Sequence, residues 1–300
     1  MKQKTKEQNN VGKVQAERIE AADCAQELIP QNYQFNLSDF ALFLSVMKVK
    51  EAYQDVLSII LNEPDLVLEE VKVEQVVLNK AGKRAIRLDA WAQDVRSRQF
   101  DVEMQNDASC DDVRKRSRFY QGMIDTPILK SGKETRYKHL PSTVIIFITQ
   151  DDIFGKDLAM YTFSEWCEEV PDLPLEDGTS KIFLNMTSKN GRPELVSLLQ
   201  YMKNTTLKNP GITVKDERIL DLDRIVAEVK ESEEWEAVKM NILEIGLARG
   251  EELGRIKSLV SSVEALMKNC NMDLQHACQG VDVTVEEYEN AKEQIAVWEK

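Results

Sequence analysis

The stretch STVIIFIT, residues 142–149, constrains the fold more than any other part of this chain. A strand with one wet face alternates apolar and polar residues, and a nearly unbroken run of Val, Ile and Phe has no wet face. Such a strand has to be covered on both sides. That places it inside a sheet layered by helices and points to an α/β fold.

The surrounding segments supply those layers. NLSDFALFLSVMKVKEAYQDVLSIILNEPD carries Phe40, Phe43, Leu44 and Met47, then Val56, Ile59 and Ile60, at helical spacing until NEPD breaks it. VLEEVKVEQVVLN, RAIRLDAWAQ and RQFDVEMQ alternate like strands, and DVRSR between the last two is short enough for a hairpin loop. DDVRKRSRFYQGMIDTPIL turns helical, with aspartates at its start where they suit the helix dipole. Beyond residue 149, KIFLNM reads as a strand and PELVSLLQYMKN as a helix opened by Pro193. The order is a helix, three strands, a helix and the buried strand, followed by additions.

The predicted organisation is a mobile polar tail over residues 1–31, an α/β domain over 32–208 and an acidic helical region over 209–300. NPGITV, at 209–214, is the expected boundary, and TVEEYENAKEQIAVWEK opens on a capping box, Thr284 with Glu287.

Composition narrows the chemistry. The five cysteines form no CxxC pair and there are two histidines, so metal chemistry here has to use carboxylates. Unpatterned, odd-numbered cysteines suit reduced thiols, and the polar start lacks the apolar segment of a signal peptide, so a cytoplasmic protein is expected. No stretch of eighteen apolar residues exists to span a membrane. The net charge of −13 speaks against nonspecific nucleic-acid binding by the whole chain. The charge is uneven, however. Residues 84–140 hold 12 Lys and Arg against 9 Asp and Glu, whereas residues 214–300 hold 11 against 20. Nucleic acid is therefore an option for the centre alone.

The hairpin is the candidate site. In QFDVEMQ, residues 99–105, Phe100, Val102 and Met104 point one way while Asp101, Glu103 and Gln105 point the other. Asp89 and Glu103 have their midpoint at residue 96, the centre of DVRSR, so a simple antiparallel register sets them side by side. Asp89 then shares a face with Arg87 and Trp91. Like charges across a strand pair repel unless a divalent ion such as Mg²⁺ or Mn²⁺ sits between them. The polar face either meets water or forms a working site.

The ordered set RLDAWAQD, VEMQ, RSRFYQGMID, YKHLPSTVIIFIT, DDIFG, YTFSEW, LEDGTSKIFLN and LLQYMKN resembles the PD-(D/E)XK nuclease superfamily, in particular its recombination-promoting nuclease, or transposase, branch. In that branch glutamine replaces the usual motif lysine, as in Asp89, Glu103, Gln105 here. The resemblance covers residues 35–205, and more loosely the helices to 257. It implies a PD-(D/E)XK-like core with a three-stranded antiparallel unit and a helical addition, and a metal-dependent DNA endonuclease linked to recombination or mobile elements. Asp89 and Glu103, with the main-chain carbonyl of Met104, would hold Mg²⁺ or Mn²⁺, and Gln105 would orient the attacking water. Arg116, Arg118, Tyr120 and Gln121 would meet substrate phosphate, Arg118 nearest the scissile one. Asp39 is read first as a helix cap and second as a remote site residue, and Asp101 as a bystander. The chain departs from the family in DVRSR, which lacks the usual hairpin glycine.

Two functions compete. One is the metal-dependent endonuclease, acting on DNA through residues of about 84–140. The other is a catalytically weak protein that keeps the fold and binds nucleic acid or protein. In either case the acidic C-terminal helices suit a protein partner or a second copy of the chain. DNA against RNA, and single against double strand, are not separable at this level.

Overall fold

The computed structural model describes residues 33–77, 85–106, 112–128 and 136–298; the expected tail, residues 1–31, lies outside them. From Gln34 onward the chain forms two compact units that divide between Glu236 and Ala237. The 209–214 segment is a loop within the first unit. There Ser197 Oγ accepts hydrogen bonds from the Thr213 and Val214 N–H groups, both at 3.2 Å.

The first unit opens with α1 (Phe40–Met47) and α2 (Lys50–Leu61). These correspond to one continuous apolar pattern in the sequence, and the break between them is a single extended residue, Val49 (φ −81°, ψ 113°). Helical spacing reads the same on both sides of so short a break. Next come β1 (Leu68–Val77), β2 (Ile86–Asp94), β3 (Gln99–Gln105), α3 (Val113–Asp125) and β4 (Thr143–Thr149). A short strand, β5 (Met160–Phe163), precedes β6 (Thr179–Asn185), α4 (Pro193–Lys203) and α5 (Glu217–Lys230). The sequence reading omits β5, whose four residues at a sheet edge are too few to show alternation.

The six strands form one sheet in the order β1-β2-β3-β4-β6-β5. β1–β2 and β2–β3 are antiparallel, as expected, and β3–β4 and β4–β6 are parallel. The α3 crossover makes the β3–β4 step possible, since parallel neighbours need a long return. β4 is buried along nearly its whole length, as its composition demands. On one face α3 covers Trp91, Ile145, Phe147 and Phe183 with Val113, Tyr120, Met123 and Ile124. The opposite face, with Phe100, Val102, Ile146 and Ile148, is also closed to solvent. Tyr53 of α2 is fully buried and donates its hydroxyl to the Ala90 carbonyl.

The β2–β3 turn is tied by a buried aspartate. Asp94 Oδ1 accepts the N–H groups of Arg96 (2.9 Å) and Arg98 (2.8 Å), and its Oδ2 accepts Arg98 Nε at 2.7 Å. The Arg98 guanidinium also grips Glu63, with Nη2 2.6 Å from Oε2. The residue that takes the left-handed conformation is Ser97 (φ 62°), where glycine would be unstrained.

The second unit runs from Ala237 and contains most of α6 (Glu233–Asn269), then α7 (Leu274–Gly280) and α8 (Val285–Trp298). Val260, Val263, Ala277, Cys278, Tyr288 and Ala291 form its own core. The expected capping box is present. Glu287 N–H donates to Thr284 Oγ1 (3.1 Å), and Thr284 N–H donates to Glu287 Oε2 (2.7 Å). Among the described residues no helix is long and apolar enough to cross a membrane.

Ser97→Gly relieves the left-handed residue and is expected to add roughly 1 kcal/mol in urea unfolding. Asp94→Ala should remove about 2 kcal/mol, because buried turn N–H groups lose their acceptor; equal midpoints for the two variants would show that the turn is not the strained element. Asp55 of α2 is half-buried and pushed up to about 6, first by burial and then by Asp221, with Arg218 opposing. A carboxyl raised in the folded state binds more protons folded than unfolded. Its stability contribution is therefore present below the unfolded pKa and lost as pH rises toward 6. Asp55→Asn should raise the melting temperature at pH 8 and leave it unchanged near pH 3.5, as read by thermal melts across that range.

Candidate active site

Register comes first. Ala90 pairs with Val102 and Trp91 with Asp101, so the next pair along the two strands is Asp89 and Glu103. Each strand then donates a main-chain N–H to the other's carboxylate. Asp89 N–H bonds Glu103 Oε1 at 2.8 Å, and Met104 N–H bonds Asp89 Oδ2 at 3.2 Å. The two carboxylates are thus locked to the backbone that brings them together.

Their face is not wet. β3 pairs in parallel with β4, Glu103 opposite Phe147, and α3 lies over both. Asp89 is 5% exposed, while Asp101 and Glu103 are at 0%. Across this face α3 extends Arg116. Its Nη2 donates to Glu103 Oε2 at 2.5 Å, its Nη1 to Gln105 Oε1 at 2.7 Å and its Nε to the Tyr120 hydroxyl at 2.9 Å. The guanidinium carbon also lies 5.0 Å from the Tyr120 ring centroid and 5.4 Å from that of Phe147, within cation–π range. Arg116 sits on α3 because Asp112 caps the helix, accepting from the Arg114 and Lys115 N–H groups at 3.1 and 3.3 Å.

Three carboxylates therefore face one bonded guanidinium in a dry setting. Burial, then the charge of Glu103, holds Asp89 and Asp101 well above the usual carboxylate range. Burial also raises Glu103, with the Arg116 charge pulling it back. The Asp101 carboxyl is wholly buried beside Glu103, whose charge and side-chain hydrogen bond raise it further. Burying such a group is costly, and groups of this kind concentrate at working sites.

The structure gathers some of the expected residues and separates others. Asp89, Glu103, Gln105 and Arg116 form one connected cluster. Met104 joins through its N–H, and its side chain lies on the opposite face. Tyr120 is buried beneath Arg116 and packs against Phe147, so it supports the guanidinium and has no ring face open for stacking on a base. Gln121 is buried toward Asp125 and Thr143, at the far end of α3 from Gln105. Arg118 is exposed and makes no hydrogen bond or ion pair with the cluster, whereas Arg116 is bonded into it. Asp39 precedes α1 without a side-chain cap and accepts the Asn36 N–H at 2.6 Å. Asp101, read as a bystander, belongs to the buried group. Two-sided burial of the neighbouring strand 142–149 is the signal that would have flagged it.

For a metal, the available donors are the hard carboxyl oxygens of Asp89, Asp101 and Glu103, of the kind that suit Mg²⁺ or Mn²⁺. Glu103 has both oxygens engaged, one by Asp89 N–H and one by Arg116. Among the described residues no three His, Cys, Asp or Glu side chains stand ready around a single ion.

No protein-family model matches the chain, and neither a curated protein nor a solved structure matches it. The site is read from its own geometry.

Arg116→Gln removes the bonded cation from three buried carboxylates. It is expected to lower stability by about 3 kcal/mol in urea unfolding at pH 7.5 without added metal. A loss below about 1 kcal/mol, the ordinary value of an exposed ion pair, would show that the cluster is not desolvated in solution.

Proposed function

We propose that the chain is a metal-dependent endonuclease of the PD-(D/E)XK kind, hydrolysing phosphodiester bonds in DNA, with Mg²⁺ or Mn²⁺ as its ion. The observation that carries this reading is the Asp89–Glu103 pair on adjacent antiparallel strands, with Gln105 two residues further on and a cationic helix start above it.

Asp89 and Glu103, with the Met104 carbonyl, would hold the ion, which when bound polarises a phosphoryl oxygen and readies a water. The remaining roles fall to the protein. Gln105 offers an amide that can orient a water through a hydrogen bond but brings no positive charge. Charge at the phosphate therefore depends on arginine. Arg116 is the nearest, and its forked donors match phosphate oxygens. Arg114, Lys115 and Arg118 are exposed on the same helix, a rim suited to a polyanion. In hydrolysis the water oxygen forms one bond to phosphorus, the leaving oxygen's bond breaks, and the water's proton passes to solvent or to a neighbouring base.

A binding-only reading has one observation behind it: Glu103 is fully buried with both oxygens already engaged.

Supercoiled plasmid incubated with the full chain separates the two. Nicking or linearisation with Mg²⁺ or Mn²⁺, none with EDTA, and a loss of at least a hundredfold in Asp89→Asn and Glu103→Gln is the expected pattern. Equal cutting by wild type and both variants would remove these residues from the chemistry. Absence of cutting on single- and double-stranded DNA with either ion would favour the binding protein.

A further inference from the structure

We propose that Arg116 is a resident cation which a divalent ion must displace from Glu103. The inference rests on the metal-dependent reading above and deepens it by stating what the ion competes with.

Three observations carry it. First, Arg116 bonds the two side chains that the proposed chemistry needs free. Glu103 Oε2 and Gln105 Oε1 are both occupied by one guanidinium, at 2.5 and 2.7 Å. Release of that single group breaks its bonds to a carboxylate oxygen and an amide oxygen together. Second, the guanidinium does not satisfy the cluster it caps. Asp101, buried on the same strand face, receives none of its three bonds, which go to Tyr120, Gln105 and Glu103. A planar fork matched to Glu103 and Gln105 does not turn toward a third carboxylate, whereas a compact ion accepts oxygen donors from several directions. Arg87, also on this face, is exposed and paired with Glu74 at 3.3 Å. Third, the arginine lies on the solvent side of the carboxylate. The Arg116 side chain is 23% exposed and Glu103 is at 0%. It can swing outward on its stem and keep its charge in water, and it then stands at the mouth of the site, where a phosphate would arrive.

The result is an exchange of one cation for another. With Arg116 bonded to Glu103 the guanidinium compensates the buried cluster, and its departure leaves that role to the incoming ion. Apparent metal affinity is reduced by the strength of the Arg116 bonds, because binding has to break them.

The test measures Mn²⁺ binding to the full chain without nucleic acid, by calorimetry or by the loss of free-ion EPR signal. Wild type, R116Q, R116K, E103Q and the R116Q/E103Q double variant are compared, with melting temperatures recorded with and without Mn²⁺. The proposal expects R116Q to bind at least tenfold tighter than wild type and to gain more melting temperature from the ion. It expects R116K to fall between them and the double variant to lose the gain. R116Q binding no tighter than wild type, with native circular dichroism, overturns the displacement. Should R116Q fold only with the ion present, R116K decides by the same criterion. Mn²⁺ binding by wild type that E103Q abolishes, without tightening in R116Q, sinks the displacement alone. Identical binding by wild type and E103Q sinks both the displacement and the metal reading.

Discussion

Burying a row of carboxylates on an inner sheet face is the constraint to which the rest of the first unit answers. Taking such charges out of water costs several kcal/mol each unless they find partners. The fold supplies those partners in an order set by geometry: main-chain N–H groups across β2 and β3, then one guanidinium from α3. Apolar residues of similar size would satisfy the same space at no such cost. Stability is therefore a poor reason for the arrangement, and chemistry at the site is a better one.

That arrangement depends on a turn several residues away. Because side chains on a strand alternate, a slip of one position between β2 and β3 would send Asp89 to the other face from Glu103. Asp94 prevents it by accepting from Arg96 and Arg98 within the loop, and Arg98 anchors the loop to Glu63, beyond the end of α2. The hairpin tolerates Ser97 in a left-handed conformation because its neighbours determine the backbone there. A loop without glycine can hold a register as firmly as one with it.

Much of this was legible in the residues. Two-sided burial of 142–149, the three-strand unit, the helix opened by aspartate and the Asp89–Glu103 register all follow from periodicity and arithmetic on the turn. What was not legible depends on packing. Periodicity does not show the break at Val49 or the four-residue β5. The choice between Arg116 and Arg118 turns on which side of α3 faces the sheet, and the two lie only two residues apart. The burial of Asp101 was hidden for a related reason. Its own strand alternates like a half-exposed one, and only its parallel neighbour β4 reveals that both faces are covered.

The parallel pairing of β3 with β4 also orders events as the chain folds. β2 and β3 are joined by a short turn and can pair locally, within microseconds, while their carboxylates are still hydrated. β4 reaches β3 only across the intervening α3, so the strand and the helix that close the face of Asp89, Asp101 and Glu103 to water belong to one crossover. The arginine that compensates this face is carried by the same segment that dehydrates it.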